Sequence, residues 1–365
     1  MTNNPLGLYI HIPFCLRKCP YCDFYSVRHT VEKENLYVDA IVRNLRSFKT
    51  QKLCVNTIYF GGGTPSLLST GNLEKILDAV AEIFTIAENP EITLECNPAT
   101  IKNFSPLYSA GINRLSFGIQ SCVDSELKTL GRLHNYSEAE RTVLSAYESG
   151  FENISCDLMT GTVGQTMESL MYSIDTLCKL PVKHISAYML KIEPSTPYNR
   201  PEIINSVPDE DTTADFYLKT VSSLEAHSFL QYEISNFAVR GFESRHNLKY
   251  WNCDEYIGIG CSAHSYFNGV RYAVPRDIEG FINSPVQPTE ITDSNPNKFE
   301  EKAMLRLRLC DGFDVSEFPE ETEHVMRKAE QLKKYGLVNI RGNIISLTPK
   351  GFLVSNSVIE EIIFE

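Results

Sequence analysis

A strand-then-helix alternation repeats six times between residue 7 and about residue 190, and no other feature of the 365-residue chain restricts its fold as strongly. The apolar runs are Leu8–Ile12, Thr57–Phe60, Ile92–Cys96, Arg114–Gln120, Ile154–Met159 and His184–Leu190. After the first run, Leu36, Ala40, Ile41, Leu45 and Phe48 recur at helical spacing and predict a helix over 32–48. After the second, Leu73, Ile76, Leu77, Val80 and Phe84 do the same. Alternation of this kind implies a parallel sheet covered by helices. Six units fall short of a closed eight-stranded barrel and fit an open, three-quarter (β/α)6 barrel, an α/β fold whose chemistry gathers at the C-terminal ends of the strands.

The loop after the first run is Cys15-Leu16-Arg17-Lys18-Cys19-Pro20-Tyr21-Cys22. Pro13 and Pro20 exclude a regular helix there. Three thiolates on a short loop can converge on one soft metal centre. With no fourth cysteine before Cys54, Cys15, Cys19 and Cys22 could hold three irons of a [4Fe-4S] cluster and leave the fourth open to a small molecule. A structural zinc site completed by His11 or His29 is the competing reading.

Other loops carry polar groups at the same position in the unit. The second run ends in Gly61-Gly62-Gly63-Thr64-Pro65, which lacks both the P-loop and the dinucleotide-binding spacing. Glu95 and Gln120 end the third and fourth runs, Asp157 lies late in the fifth, and Leu130–Asn135 contains Arg132.

The cysteine run resembles the C-x3-C-x2-C signature of the radical S-adenosylmethionine (SAM) superfamily. The stretches Tyr9–Phe24, Thr57–Pro65, Glu95–Pro98, Ser116–Gln120 and Leu130–Asn135 together resemble the oxygen-independent coproporphyrinogen III oxidase family. The resemblance implies a TIM-like radical SAM barrel. It implies that Tyr9, Tyr21, Gly63, Thr64, Glu95, Gln120, Arg132 and Asp157 line a SAM site beside the cluster. Carboxylates suit ribose hydroxyls, and a guanidinium suits the SAM carboxylate.

Further on, Ser244-Arg245-His246-Asn247-Leu248-Lys249-Tyr250-Trp251 contains the only tryptophan. His246 is a candidate axial ligand for haem iron, Arg245 a propionate partner, and Tyr250 and Trp251 flat walls. The pattern His-Asn-x-x-Tyr-Trp, Asn247 included, resembles the haem-chaperone branch of the same family. That branch implies haem or porphyrin as cargo and haem-acceptor proteins as partners. The alternative is a decarboxylating oxidase acting on propionate side chains. Against it, Phe24 stands where the oxidase branch has a fourth cysteine, and only fourteen residues precede Cys15.

The prolines Pro194, Pro197, Pro201 and Pro208 suggest a connector leaving the barrel, followed by a helix near 214–224. Gly258–Ser265 reads as a turn closing the barrel mouth. Beyond residue 297, helices over 298–309 and 320–335, a hairpin across Arg341-Gly342-Asn343 and a helix from Lys350 onward suggest a winged-helix-like module. The expected organisation is a barrel over 1–225, a barrel-closing segment over 226–296 and that module over 297–365. Its 10 Lys/Arg against 12 Asp/Glu, and the net charge of −12 for the chain, argue against nucleic acid as a partner. Scattered cysteines, no apolar run long enough to span a membrane and no signal-like start lead to the expectation of a cytoplasmic protein.

Overall fold

A computed structural model describes residues 5–364. Strands β1 (Leu6–Ile12), β2 (Cys54–Gly62), β3 (Thr85–Cys96), β4 (Arg114–Gln120), β5 (Asn153–Thr160) and β6 (His184–Met189) lie side by side, parallel and in chain order. Helices α1 (Val31–Arg46), α2 (Thr70–Ile83), α3 (Tyr136–Glu148), α4 (Met167–Leu177) and α5 (Glu210–Ala226) belong to the crossovers. Each begins at a residue whose side chain accepts a backbone N–H of the first turn: Thr30, Ser69, Asn135, Thr166 and Asp209.

The connector expected after residue 193 proves to end in a barrel helix. Its prolines stop before the Asp209 cap, and α5 buries Phe216, Tyr217, Val221 and Leu224 in the core. The sheet also extends past six strands. β7 (Asn236–Ala238) pairs antiparallel with β6. After the short helix α6 (Arg245–Trp251), β8 (Tyr256–Ile259) pairs parallel with β1. The stretch expected as a mouth-closing turn is therefore half strand. All four β8 residues are buried, and the turn proper starts at Gly260, whose φ is +110° and where a Cβ would lie 2.5 Å from Tyr37 Oη and 2.7 Å from His11 O. Strands β9 (His264–Phe267), β10 (Val270–Ala273) and β11 (Glu290–Asp293) continue that edge antiparallel.

The two faces of the barrel strands differ in chemistry because successive side chains point to opposite sides. Leu8, Ile10, Phe60, Leu94, Leu115, Phe117, Ile154 and Ile185 are buried in the apolar core. The intervening residues, which contact one another between neighbouring strands, are polar: Tyr9, Tyr59, Glu95, Ser116, Ser155, Asp157 and His184. A closed barrel of this class fills its interior with branched apolar side chains. The polar interior here marks a lumen built for something other than packing.

In the C-terminal part, α7 (Lys298–Arg306) and α8 (Thr322–Lys333) precede the hairpin of β12 (Val338–Arg341) and β13 (Ile344–Leu347). Phe313–Asp314 adds a third strand beside β13. The last expected helix divides into Pro349–Leu353 and α9 (Ser355–Ile363).

Candidate functional site

The cysteine loop is held shut by backbone pairing. Phe14–Cys15 pairs with Val27–Arg28, Val27 N–H donates to Pro13 O at 2.7 Å, and Cys22 N–H donates to Cys19 O at 3.1 Å. Buried Phe14 anchors it, edge-on to His29 and Tyr37. Cys15, Cys19 and Cys22 are unbonded to other cysteines and partly exposed. Burial pushes the Cys22 thiol above its ordinary value, and the nearby Cys19 and Cys15 add to the effect while the Phe24 N–H opposes it. Three thiolates this close need positive charge to remain ionised together, which iron supplies.

Among the described residues, no group of three or more His, Cys, Asp or Glu side chains converges tightly enough to ligate one metal ion. A cube cluster, with each thiolate on its own iron, asks for a wider spacing. The histidines of the zinc reading are engaged elsewhere. His29 Nε2 meets Glu34 Oε2 at 2.6 Å, and buried His11 meets Tyr9 Oη and Tyr25 O at 3.1 and 3.4 Å. The donor set fits a cluster on three cysteines.

The glycine run and the Arg132 loop close around these cysteines. Gly63 N–H and Thr64 N–H donate to Ile12 O and Phe14 O at 2.8 and 2.7 Å. A Cβ on Gly63 would lie 2.7 Å from Phe14 O, and one on Gly62, at φ +112°, would lie 2.5 Å from the His11 ring. These glycines therefore let β2 meet the cysteine loop backbone to backbone. Gly131, at φ +70°, does the same on the other side, where a Cβ would lie 2.8 Å from Pro20. Thr64 Oγ1 donates to Cys15 Sγ at 3.6 Å, and Arg132 Nη1 reaches Cys19 Sγ and Tyr21 Oη, both at 3.5 Å. Arg132 Nη2 donates to Asn97 Oδ1 and Gly118 O, and Asn97 Nδ2 donates to Thr64 Oγ1 at 2.8 Å. Arg132 Nε is buried without a partner, an orphan donor that suits an anionic ligand group.

Deeper in the lumen, Glu95 accepts from Tyr59 Oη at 2.8 Å and from Gly62 N–H at 3.0 Å. Burial lifts its carboxyl to about 7, against the Tyr59 hydrogen bond and with help from Asp157. Burial likewise lifts Asp157 to about 6, opposed by hydrogen bonds from Ser186 and Ser116 and by Arg114 and Arg132. Gln120 ends β4 at φ +76°, a conformation that costs a non-glycine residue about 1–3 kcal/mol and concentrates at working sites. Tyr9 lies parallel to Tyr59, ring centroids 6.2 Å apart. Every residue expected for the SAM site thus lies around the cysteine loop or in the lumen beneath it. Sequence reasoning passed over Asn97, Tyr59 and Arg114. Asn97 follows a strand end as Thr64 does, and Arg114 is a charge opening an apolar run; both were available signals.

The expected haem residues lie at the other end of the barrel from the cysteines. His246 is fully buried. Its Nδ1 meets Thr57 Oγ1 at 2.8 Å, its Nε2 meets Tyr250 Oη at 2.7 Å, and its ring stacks on Tyr59 at 5.0 Å. Its N–H and that of Arg245 donate to Glu91 at 2.9 and 3.1 Å. The Arg245 guanidinium is spent on the carbonyls of Asn56 and Asn89. Neither imidazole nitrogen is free for iron, and the motif plugs the end of the barrel opposite the cysteines. Asn247 donates its N–H to the Ser244 cap, and Tyr250 stands edge-on to His246 and Tyr256. Trp251 ends α6, half-buried.

Comparison with known proteins bears on the family and the fold. Residues 9–177 match the radical SAM superfamily, and residues 293–354 match the HemN C-terminal domain. The heme chaperone HemW of Lactococcus lactis is 34% identical over 100% of this chain and 99% of its own length. That of Bacillus subtilis is 35% identical over 96% and 97%. Among solved structures, the coproporphyrinogen III oxidase HemN of Escherichia coli superposes with a TM-score of 0.83 at 20% identity, covering 98% of this chain and 90% of that one, a likeness of fold. No helix among the described residues is long and apolar enough to cross a membrane. With relatives of such identity aligned from end to end, the chain belongs to the HemW family of the radical SAM superfamily.

Proposed function

We propose that the protein is a haem carrier that holds a [4Fe-4S] cluster and SAM and passes haem to acceptor proteins. The observation that carries this reading is the end-to-end identity of 34–35% with relatives named heme chaperone. Phe24, two residues beyond Cys22, supports it by standing where the oxidase branch has a further cysteine. Cys15, Cys19 and Cys22 would hold the cluster, and the open iron would chelate the amino and carboxylate groups of SAM. The buried Arg132 Nε would be available to the carboxylate, and Glu95 and Asp157, which accept from Tyr59 and Ser116, would accept hydrogen bonds from the ribose hydroxyls. Tyr9 and Tyr21 wall the site.

The bound pair would supply one-electron chemistry when reduced, and this chain's residues govern whether it runs. The lumen is lined by phenols, Tyr9 beside Tyr59 and Tyr188 near Asp157 and Ser186. The retained SAM-site residues Glu95, Gln120, Arg132 and Asp157 are what favours the second reading, an oxygen-independent coproporphyrinogen III oxidase.

One experiment separates the two. Cluster-loaded protein is given haem in one arm, and coproporphyrinogen III with SAM and a reductant in the other, under anaerobic conditions. A carrier retains haem through gel filtration, delivers it to an apo-haemoprotein and yields no protoporphyrinogen IX. Accumulation of that product would reverse the assignment.

A further inference from the structure

We infer that haem iron is taken at the barrel mouth by His264, with Arg276 on a propionate; this rests on the carrier reading above. A histidine census leads there. Of the eight histidines, His184 and His246 have both ring nitrogens bonded inside the barrel. His11 and His134 are buried, each against a backbone carbonyl. His29 is paired with Glu34, His227 with Ser223 O and Asp175, and His324 Nδ1 with Arg327. Among the described residues His264 is exposed and has no hydrogen bond or ion pair to either ring nitrogen, whereas exposed His227 is paired and the unpartnered Nε2 of His324 is buried. A neutral, unpaired imidazole is what haem iron takes as an axial ligand. Partial burial and the charge of Arg276 hold His264 below its ordinary value, which keeps that lone pair free near neutrality.

Position adds a second argument. β8 runs parallel to β1, so the turn after Ile259 emerges at the same end of the barrel as the cysteine loop. His264 opens β9 immediately after that turn, and two contacts clamp the segment: Ser262 N–H to Val274 O at 3.1 Å and Val274 N–H to Ala263 O at 2.8 Å. Arg276 follows two residues later, 61% exposed, its one ion partner Asp23 at 3.6 Å. Asp23 sits between Cys22 and Phe24, a phenyl ring left 67% exposed. Tyr25 Oη accepts from Ile278 N–H at 3.1 Å, so the two segments are packed together. Across the mouth, Tyr188 and Met189 at the end of β6 keep 41% and 37% of their surface open. The mouth therefore offers an iron ligand, a cation for a carboxylate and apolar rings for a flat macrocycle. Haem has all three needs, and the surplus apolar exposure beside charge is otherwise costly.

The test uses cluster-loaded protein titrated with ferric haem, read by absorbance difference against the cluster-only sample and by the electron paramagnetic resonance of the haem iron. His264→Gly should weaken haem at least about tenfold, equivalent to about 1.4 kcal/mol, and change the iron signal. Added imidazole should restore the wild-type signal, which a merely structural role for His264 would not allow. Arg276→Ala should weaken haem about threefold and leave the iron signal unchanged, as loss of an exposed charge contact predicts. Cluster content and SAM binding should match wild type in both variants. If wild type binds haem and His264→Gly binds it with the same affinity and signal, or imidazole fails to rescue, His264 is not the ligand while the carrier reading stands. If wild type itself retains no haem, both fall.

Discussion

Replacing Glu95 by glutamine should invert its effect on stability between pH 5 and pH 8. Burial raises this carboxyl from 4.5 to about 7. At about 1.4 kcal/mol per pH unit, keeping Glu95 ionised costs the fold about 3 kcal/mol. The raised value means that the folded state holds the proton more tightly than the unfolded chain. Wild-type stability should thus fall as pH rises from about 4.5 to about 7 and level off above. Glutamine does not titrate. It keeps the acceptor for Tyr59 but presents N–H to the Gly62 N–H, a lost hydrogen bond of about 1–3 kcal/mol at every pH. Glu95→Gln should therefore be less stable than wild type at pH 5 and equal or more stable at pH 8. The gap between the two should move by about 2.5 kcal/mol. Urea unfolding of the cluster-free protein, followed by Trp251 fluorescence, reads this directly. Asp157 titrates in both proteins and largely cancels from the difference. A gap constant to within about 1 kcal/mol across that range would refute the assignment of a buried, protonatable Glu95, since half the linkage would then be missing.

Three other substitutions follow from the geometry. Cys19→Ala should abolish the broad cluster absorbance after anaerobic reconstitution with iron and sulfide; a retained cluster would remove Cys19 from the ligand set. Gly62→Ala, at φ +112° and 2.5 Å from the His11 ring, should lower stability by more than about 2 kcal/mol, seen as a drop in melting temperature. His246→Ala should cost about 3 kcal/mol of stability, because it leaves Thr57 and Tyr250 without their buried partner. A haem affinity that falls while thermal stability stays unchanged would contradict the placement of His246 as a barrel plug.

Much of the site was legible because its chemistry is local. The three cysteines lie within eight residues, and their proximity follows from chain connectivity alone. Thr64, Glu95, Gln120 and Asp157 were legible too, because a parallel sheet places every strand end on the same rim. What the sequence did not carry was the environment of single side chains. His246 reads as a ligand by residue type and neighbours, whereas its hydrogen bonds to Thr57, Glu91 and Tyr250, two of them from other elements, appear only in the fold. Prolines likewise mark where a helix cannot start but not what the next helix packs against.

By itself the sequence determined the strand-and-helix alternation, the spacing of the cysteines and the glycines where backbones must touch. These depend on bond rotation, side-chain period and short chain distances. Tertiary structure alone decided that the strands carry an apolar outer face and a polar lumen. It decided too that β8 joins β1 across more than 200 residues of chain (Tyr9 opposite Gly258), and that one histidine plugs the barrel while another stands open at its mouth. Burial and hydrogen-bond saturation are properties of a surrounding shell, and that shell is assembled from residues remote in the chain.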